Sequence, residues 1–141
     1  MRPQPIRFHP GDRPLANVDL VLVGANRFSA LVHELSERLF TMKVVDEGVG
    51  PFRARYETNI VNVTNPDDPI AEYARVIESL TPEAVAQWDG LSERTFHLGI
   101  RSGHGVGSIE TILDCRSVAH VARLRGRILI TTFDAMLKSQ R

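Results

Sequence analysis

Residues 94–133 read RTFHLGIRSGHGVGSIETILDCRSVAHVARLRGRILITTF, and this stretch decides the fold. From Arg94 to Arg101, Phe96, Leu98 and Ile100 alternate with Thr95, His97 and Gly99, the period-two pattern of a strand with one buried face. Gly103, Gly105 and Gly107 predict a turn, and Ser108 to Leu113 a returning strand. Ser117 to Arg125 then predicts a helix closed by Gly126, and Arg127 to Phe133 a final strand. Alternating strands and helices point to layered architecture.

The same reading extends upstream. Val18 to Val23 is rich in β-formers, interrupted by Asp19 and ended by Gly24, and predicts the first strand, largely buried with one wet end. Phe28, Leu31, Val32, Leu35 and Leu39 recur at spacings of three and four, which predicts a helix over 27–40. Thr41 to Val45 predicts a short strand, Asp46 to Pro51 a turn, and Phe52 to Val63 an extended stretch bent near Asn59. Asp68 as cap and Pro69 at the first helical position start a helix to about Leu80. Thr81-Pro82-Glu83 repeats the signal for a short helix that carries Trp88, a plug for the end of the core, to the Asp89-Gly90 stop.

The fold class is therefore α+β: a ferredoxin-like strand-helix-strand-strand-helix-strand core, extended by a further strand-helix-strand, with the helices on one face of a mixed sheet. Residues 1–15 carry Pro3, Pro5, Pro10 and Pro14 and read as an extended arm. Residues 16–141 read as a single domain.

Of 141 residues, 43% are hydrophobic and 24% charged, a balance that supports a packed core and excludes the disordered class. Seventeen Lys plus Arg against 17 Asp plus Glu give a formal net charge of zero, so electrostatic recognition must be local. That balance disfavours nucleic acid. Cys115 is the single cysteine, and with Met1 followed by Pro- and Arg-punctuated sequence it points to a reducing, cytoplasmic setting. The longest apolar runs are strand-sized, which speaks against a membrane span.

Candidate chemistry is sparse. The Gly103–Ser108 loop leads into a predicted strand and lacks a Lys, so it fits a hairpin better than a phosphate cradle, with His104 at its tip available to a partner. His33-Glu34-Leu35-Ser36-Glu37 carries Glu37 where a zinc-protease helix needs its second His, and no histidine has ligand spacing. Ser102 and Ser108 lack the strand-to-helix elbow that activates a nucleophile. Cys115, beside Arg116, stands in a setting that would lower a thiol pKa. These observations predict no metal, no cofactor and no catalytic set.

The best local charge feature is Arg116, His120 and Arg123, spaced by four and three along one stripe of the last helix, with Arg125 and Arg127 extending it. Arg116, His120, Arg123 and Arg127, together with His104, form the expected partner-binding set. The alternative is an ordinary solvated helix face paired with nearby carboxylates.

The closing section, Phe96-His97-Leu98-Gly99-Ile100, the turn to Ile109, the helix Val118 to Leu124 and the strand Arg127 to Phe133, resembles that of small uncharacterised bacterial α/β domains, some of them toxin-immunity proteins. The absence of a complete catalytic constellation is the main support for a non-catalytic, cytoplasmic protein-binding domain, and the resemblance adds the expectation of an immunity or regulatory factor that covers a partner's active surface. Two other classes stand beside it. One is a small-molecule-binding or enzymatic domain with a pocket near His97 and His104, and the other is an oligomeric structural or assembly subunit.

Overall fold

A computed structural model describes residues 15–102 and 110–134. The order is β1 (Leu15–Gly24), α1 (Ser29–Arg38), β2 (Phe40–Val45), β3 (Phe52–Glu57), α2 (Asp67–Glu78), α3 (Pro82–Asp89), β4 (Glu93–Ser102), α4 (Cys115–Arg123) and β5 (Arg127–Asp134). The five strands form one sheet in the order β2-β3-β1-β4-β5. Neighbours are antiparallel except β4 and β5, which are parallel. The fold is α+β with a mixed sheet.

That single parallel pair corrects the expected strand over 108–113. Residues 110–113 belong to no strand. A parallel neighbour must start from the opposite end of the sheet, so the chain returns through a crossover, and α4 is that crossover. Residues 110–113 lead into it, and Asp114 caps it by accepting from the Arg116 amide at 3.0 Å. The Gly103–Gly107 turn and His104 lie outside the described residues, as does the arm up to residue 14. Leu15 is already a buried member of β1.

The strand face that buries Val18, Leu20 and Leu22 of β1, Phe52, Ala54 and Tyr56 of β3, and Phe96, Leu98 and Ile100 of β4 carries the helices. From α1, Ser36 reaches the Tyr56 hydroxyl at 3.4 Å, and from α2 the Tyr73 ring meets Phe96 edge-on, with centroids 5.9 Å apart. The Tyr73 hydroxyl donates to the carbonyl of Val18 at 2.6 Å and also lies 3.2 Å from that of Tyr56. Trp88 of α3 is buried and donates its indole N–H to Leu124 O at 3.1 Å, tying the end of α3 to the end of α4. Arg94 gathers the Trp88 and Leu91 carbonyls, each at 2.9 Å, at the end of α3.

Several boundaries shift for local reasons. β3 stops at Glu57, short of Val63, and Asn59 donates to Arg38 O at 3.0 Å to cap the end of α1. α2 begins at Asp67, with the Asn65 side chain accepting from the Asp68 amide at 3.0 Å in place of a cap by Asp68. α4 ends when Arg125 adopts a φ of 58°, so the left-handed residue is not Gly126. Gly126 serves a close approach: a Cβ there would stand 2.5 Å from Phe96 Cε2.

Candidate functional site: the helix-free face of the sheet

With four helices on one side, the alternate residues of each strand form a second face. Antiparallel and parallel partners share a face, so the register sets out this surface in rows. One row runs Lys43, Arg55, Val21, Thr95 and Arg127, across all five strands. In the next, Phe40 opposes Glu57, Asp19 opposes His97, and His97 opposes Leu129.

Asp19 is the centre of the second row. It is 0% exposed although it lies on the side without helices. A buried carboxylate needs partners, and it has them: Arg55 Nε donates to Oδ2 at 2.9 Å with Nη2 on the same oxygen, and Asn17 Nδ2 donates to Oδ1 at 2.9 Å. Asn17 fits because Gly99 lies opposite it; a Cβ on residue 99 would fall 2.3 Å from Asn17 Oδ1. Asp19 is thus a buried centre and not the wet end of a strand.

Glu57 leans on the same group. Partial burial raises its carboxyl above the ordinary carboxylate range, the charge of Asp19 and a hydrogen bond to it push further, and Arg55 pulls back. The Glu57 carboxyl thus stands beside an ion pair that is already complete between Asp19 and Arg55. On the other side, His97 Nε2 lies 2.8 Å from Thr131 Oγ1. Arg127 Nε donates to Thr95 Oγ1 at 2.8 Å, and Arg127 pairs with Glu93 at 3.0 Å. Apolar side chains flank the polar rows: Phe40, Val45 and Leu129 are exposed on this face.

The expected partner-binding stripe is not contiguous. Arg123 pairs with Glu78 of α2 and donates from Nη2 to His120 Nδ1 at 2.7 Å, so His120 and Arg123 serve the α2–α4 packing. Arg125 reaches Asp89 at 3.9 Å. Arg127 belongs to the helix-free face, leaving Arg116 exposed near the start of α4.

Other candidates resolve locally. His33 lies 3.2 Å from Glu37 on the exposed side of α1, whereas Glu34 turns to α3, accepting from the Thr81 amide at 2.9 Å and from its hydroxyl. Those bonds hold Glu34 below the usual carboxylate range. The expected lowering at Cys115 is reversed: its hydrogen bond to Asp114, and then the charge of Asp114, push the thiol up. Among the described residues there is no group of three side chains that would hold a metal ion, and no helix is long and apolar enough to cross a membrane.

Sequence reasoning missed Asp19, Asn17, Arg55 and Glu57. The signal was present in Arg53-Ala54-Arg55-Tyr56-Glu57, where alternation puts every charge on one face, and in the lone acid inside an apolar first strand. No protein-family model, curated protein or solved structure matches this chain.

Proposed function

We propose that this chain is a non-catalytic protein-binding domain, of the immunity or regulatory kind, that meets its partner with the helix-free face of the sheet and covers the partner's active surface. The observation that carries the reading is the coexistence on that face of exposed Phe40, Val45 and Leu129 with arginines, around a centre whose charges are already paired. Protein interfaces favour such a mixture of aromatic, aliphatic and arginine side chains. In the same proposal β1–α1–β2–β3–α2–β4 is a ferredoxin-like core, α3 is an insertion, and β5 widens the sheet. The strand order and the antiparallel directions of its first four strands support that description. A bacterial, cytoplasmic setting completes the proposal, resting on the resemblance of the closing section and the single cysteine.

Photo-crosslinking tests it. A benzophenone side chain replacing Phe40 or Leu129 captures one protein from its own cell extract, whereas the same probe at Val85, exposed on α3, does not. The purified chain then inhibits the captured protein. Equal capture from Val85, or a captured protein whose activity is unchanged by the chain, contradicts the proposal.

One observation favours a second reading, a small-molecule or enzymatic site. His97 stands opposite buried Asp19, with Glu57 on the other side, which brings an imidazole and two carboxyls, one of them raised above its ordinary range, onto one row. Saturable shifts of the His97 ring signals with a small-molecule library, lost in Glu57→Gln, would support that reading over the first.

A further inference from the structure

The formal net charge of zero conceals a division of charge between the two sides of the molecule. On the helix side, α2 and α3 carry Asp67, Asp68, Glu72, Glu78, Glu83 and Asp89 against Arg75 alone. On the helix-free face stand Lys43, Arg53, Arg55, Arg101 and Arg127 against Asp19, Glu57 and Glu93. Arg55 is committed to Asp19 and Arg127 to Glu93. The carboxyl of Glu57 is raised above the ordinary carboxylate range, by partial burial first and then by the charge of Asp19. Lys43, Arg53 and Arg101 are exposed and form no ion pair among the described residues.

Resting on the sheet-face reading above, we propose that the partner is a protein that presents an acidic surface to Lys43, Arg53 and Arg101. Uncompensated cations on a surface otherwise provided with apolar contacts attract negative charge and steer encounter. A second copy of this chain is disfavoured, because a twofold pairing of this face would set the same cations against each other. A nucleic acid is disfavoured by the placement of the aromatics. Phe40 on β2 and Phe133 on β5 share this face but are separated by four strand spacings, about 19 Å, which is too far for neighbouring bases to stack on both.

The test uses the full chain and three fluorescent probes: an acidic peptide of Glu and Asp interspersed with Leu and Phe, a single-stranded oligothymidylate of the same net charge, and, as the control without acids, the same peptide with Gln and Asn in their place. Anisotropy is read at 50 and 300 mM salt for wild type, Lys43→Gln/Arg53→Gln/Arg101→Gln, and Phe40→Ala/Leu129→Ala, with circular dichroism confirming the fold of each. The proposal expects the acidic peptide to bind best, to weaken at least tenfold in the triple variant and to lose affinity with salt. Equal or tighter binding of the oligothymidylate assigns the face to nucleic acid and overturns the proposal. Self-association of the unliganded chain in sedimentation, abolished by the alanine pair, assigns it to a second copy. Loss of peptide binding in the alanine pair but not in the triple variant overturns the acidic partner and keeps the sheet-face reading. Failure of both variants to change binding overturns both.

Discussion

Asp19 and Arg55, on neighbouring antiparallel strands, form an ion pair in which the Asp19 side chain is wholly buried and that of Arg55 is 40% exposed. The pair stands on the side of the sheet that the helices leave open, so it anchors the surface on which the functional account depends. Because Arg55 lies over Asp19, it is both a structural partner and part of the face a binding protein would touch.

Removing the cation alone is the expensive change. Arg55→Met leaves a buried carboxylate that has lost its cation and keeps the Asn17 amide, and unfolding in urea should show a loss of roughly 2–3 kcal/mol. Adding Asp19→Asn should recover part of that loss. Strict additivity of the two changes would show that the pair is not coupled.

The acidity of Glu57 gives a pH dependence of known sign. Its folded pKa is raised, so the folded state holds the proton more tightly than the unfolded chain does. The contribution to stability is present at low pH and is lost as pH rises from the ordinary Glu range through the raised folded value. Glu57→Gln should therefore gain stability relative to wild type as pH increases from 4 to 8. A difference that stays constant across that range contradicts the raised Glu57 carboxyl.

Gly126 is held to its identity by packing. Gly126→Ala drives a methyl to 2.5 Å from Phe96 Cε2 and 3.3 Å from Val121 Cγ1, inside the core, and should cost about 1–3 kcal/mol. Thermal unfolding of this variant beside Gly90→Ala, where the nearest atom is 3.5 Å away, separates the clash from a general effect of losing glycine.

Tyr73→Phe removes a donor that lies 2.6 Å from Val18 O without changing the ring contact to Phe96. A loss of about 1 kcal/mol is expected, the ordinary net worth of a hydrogen bond plus a poorly satisfied carbonyl. A change below a few tenths would mean that the hydroxyl is dispensable to the join between α2 and the sheet.

Most of the architecture was legible because periodicity reports burial. Leu31 and Leu35 at helical spacing, and Phe96, Leu98 and Ile100 at strand spacing, are all buried as their patterns require. The last strand pair was not legible, since a glycine turn suggests a hairpin, whereas the direction of β5 is set by the crossover through α4. The candidate face was hidden for a related reason. Sequence places Arg53, Arg55 and Glu57 on one side of a strand, but only the pairing of β1 between β3 and β4 brings them beside Asp19 and His97. The arginines of α4 stood out in sequence, yet Arg123 is spent on Glu78, and what a helical wheel shows as solvent is the neighbouring helix.

The most direct measurement is the amide chemical-shift map of the isotope-labelled chain on addition of the protein captured by crosslinking from Leu129. The account predicts that the largest changes follow the two rows of the helix-free face, at Val21, Arg55, His97 and Leu129, with α1 and α3 nearly unmoved. Changes concentrated on α1, α3 or the exposed side of α4, with those rows unaltered, would contradict it.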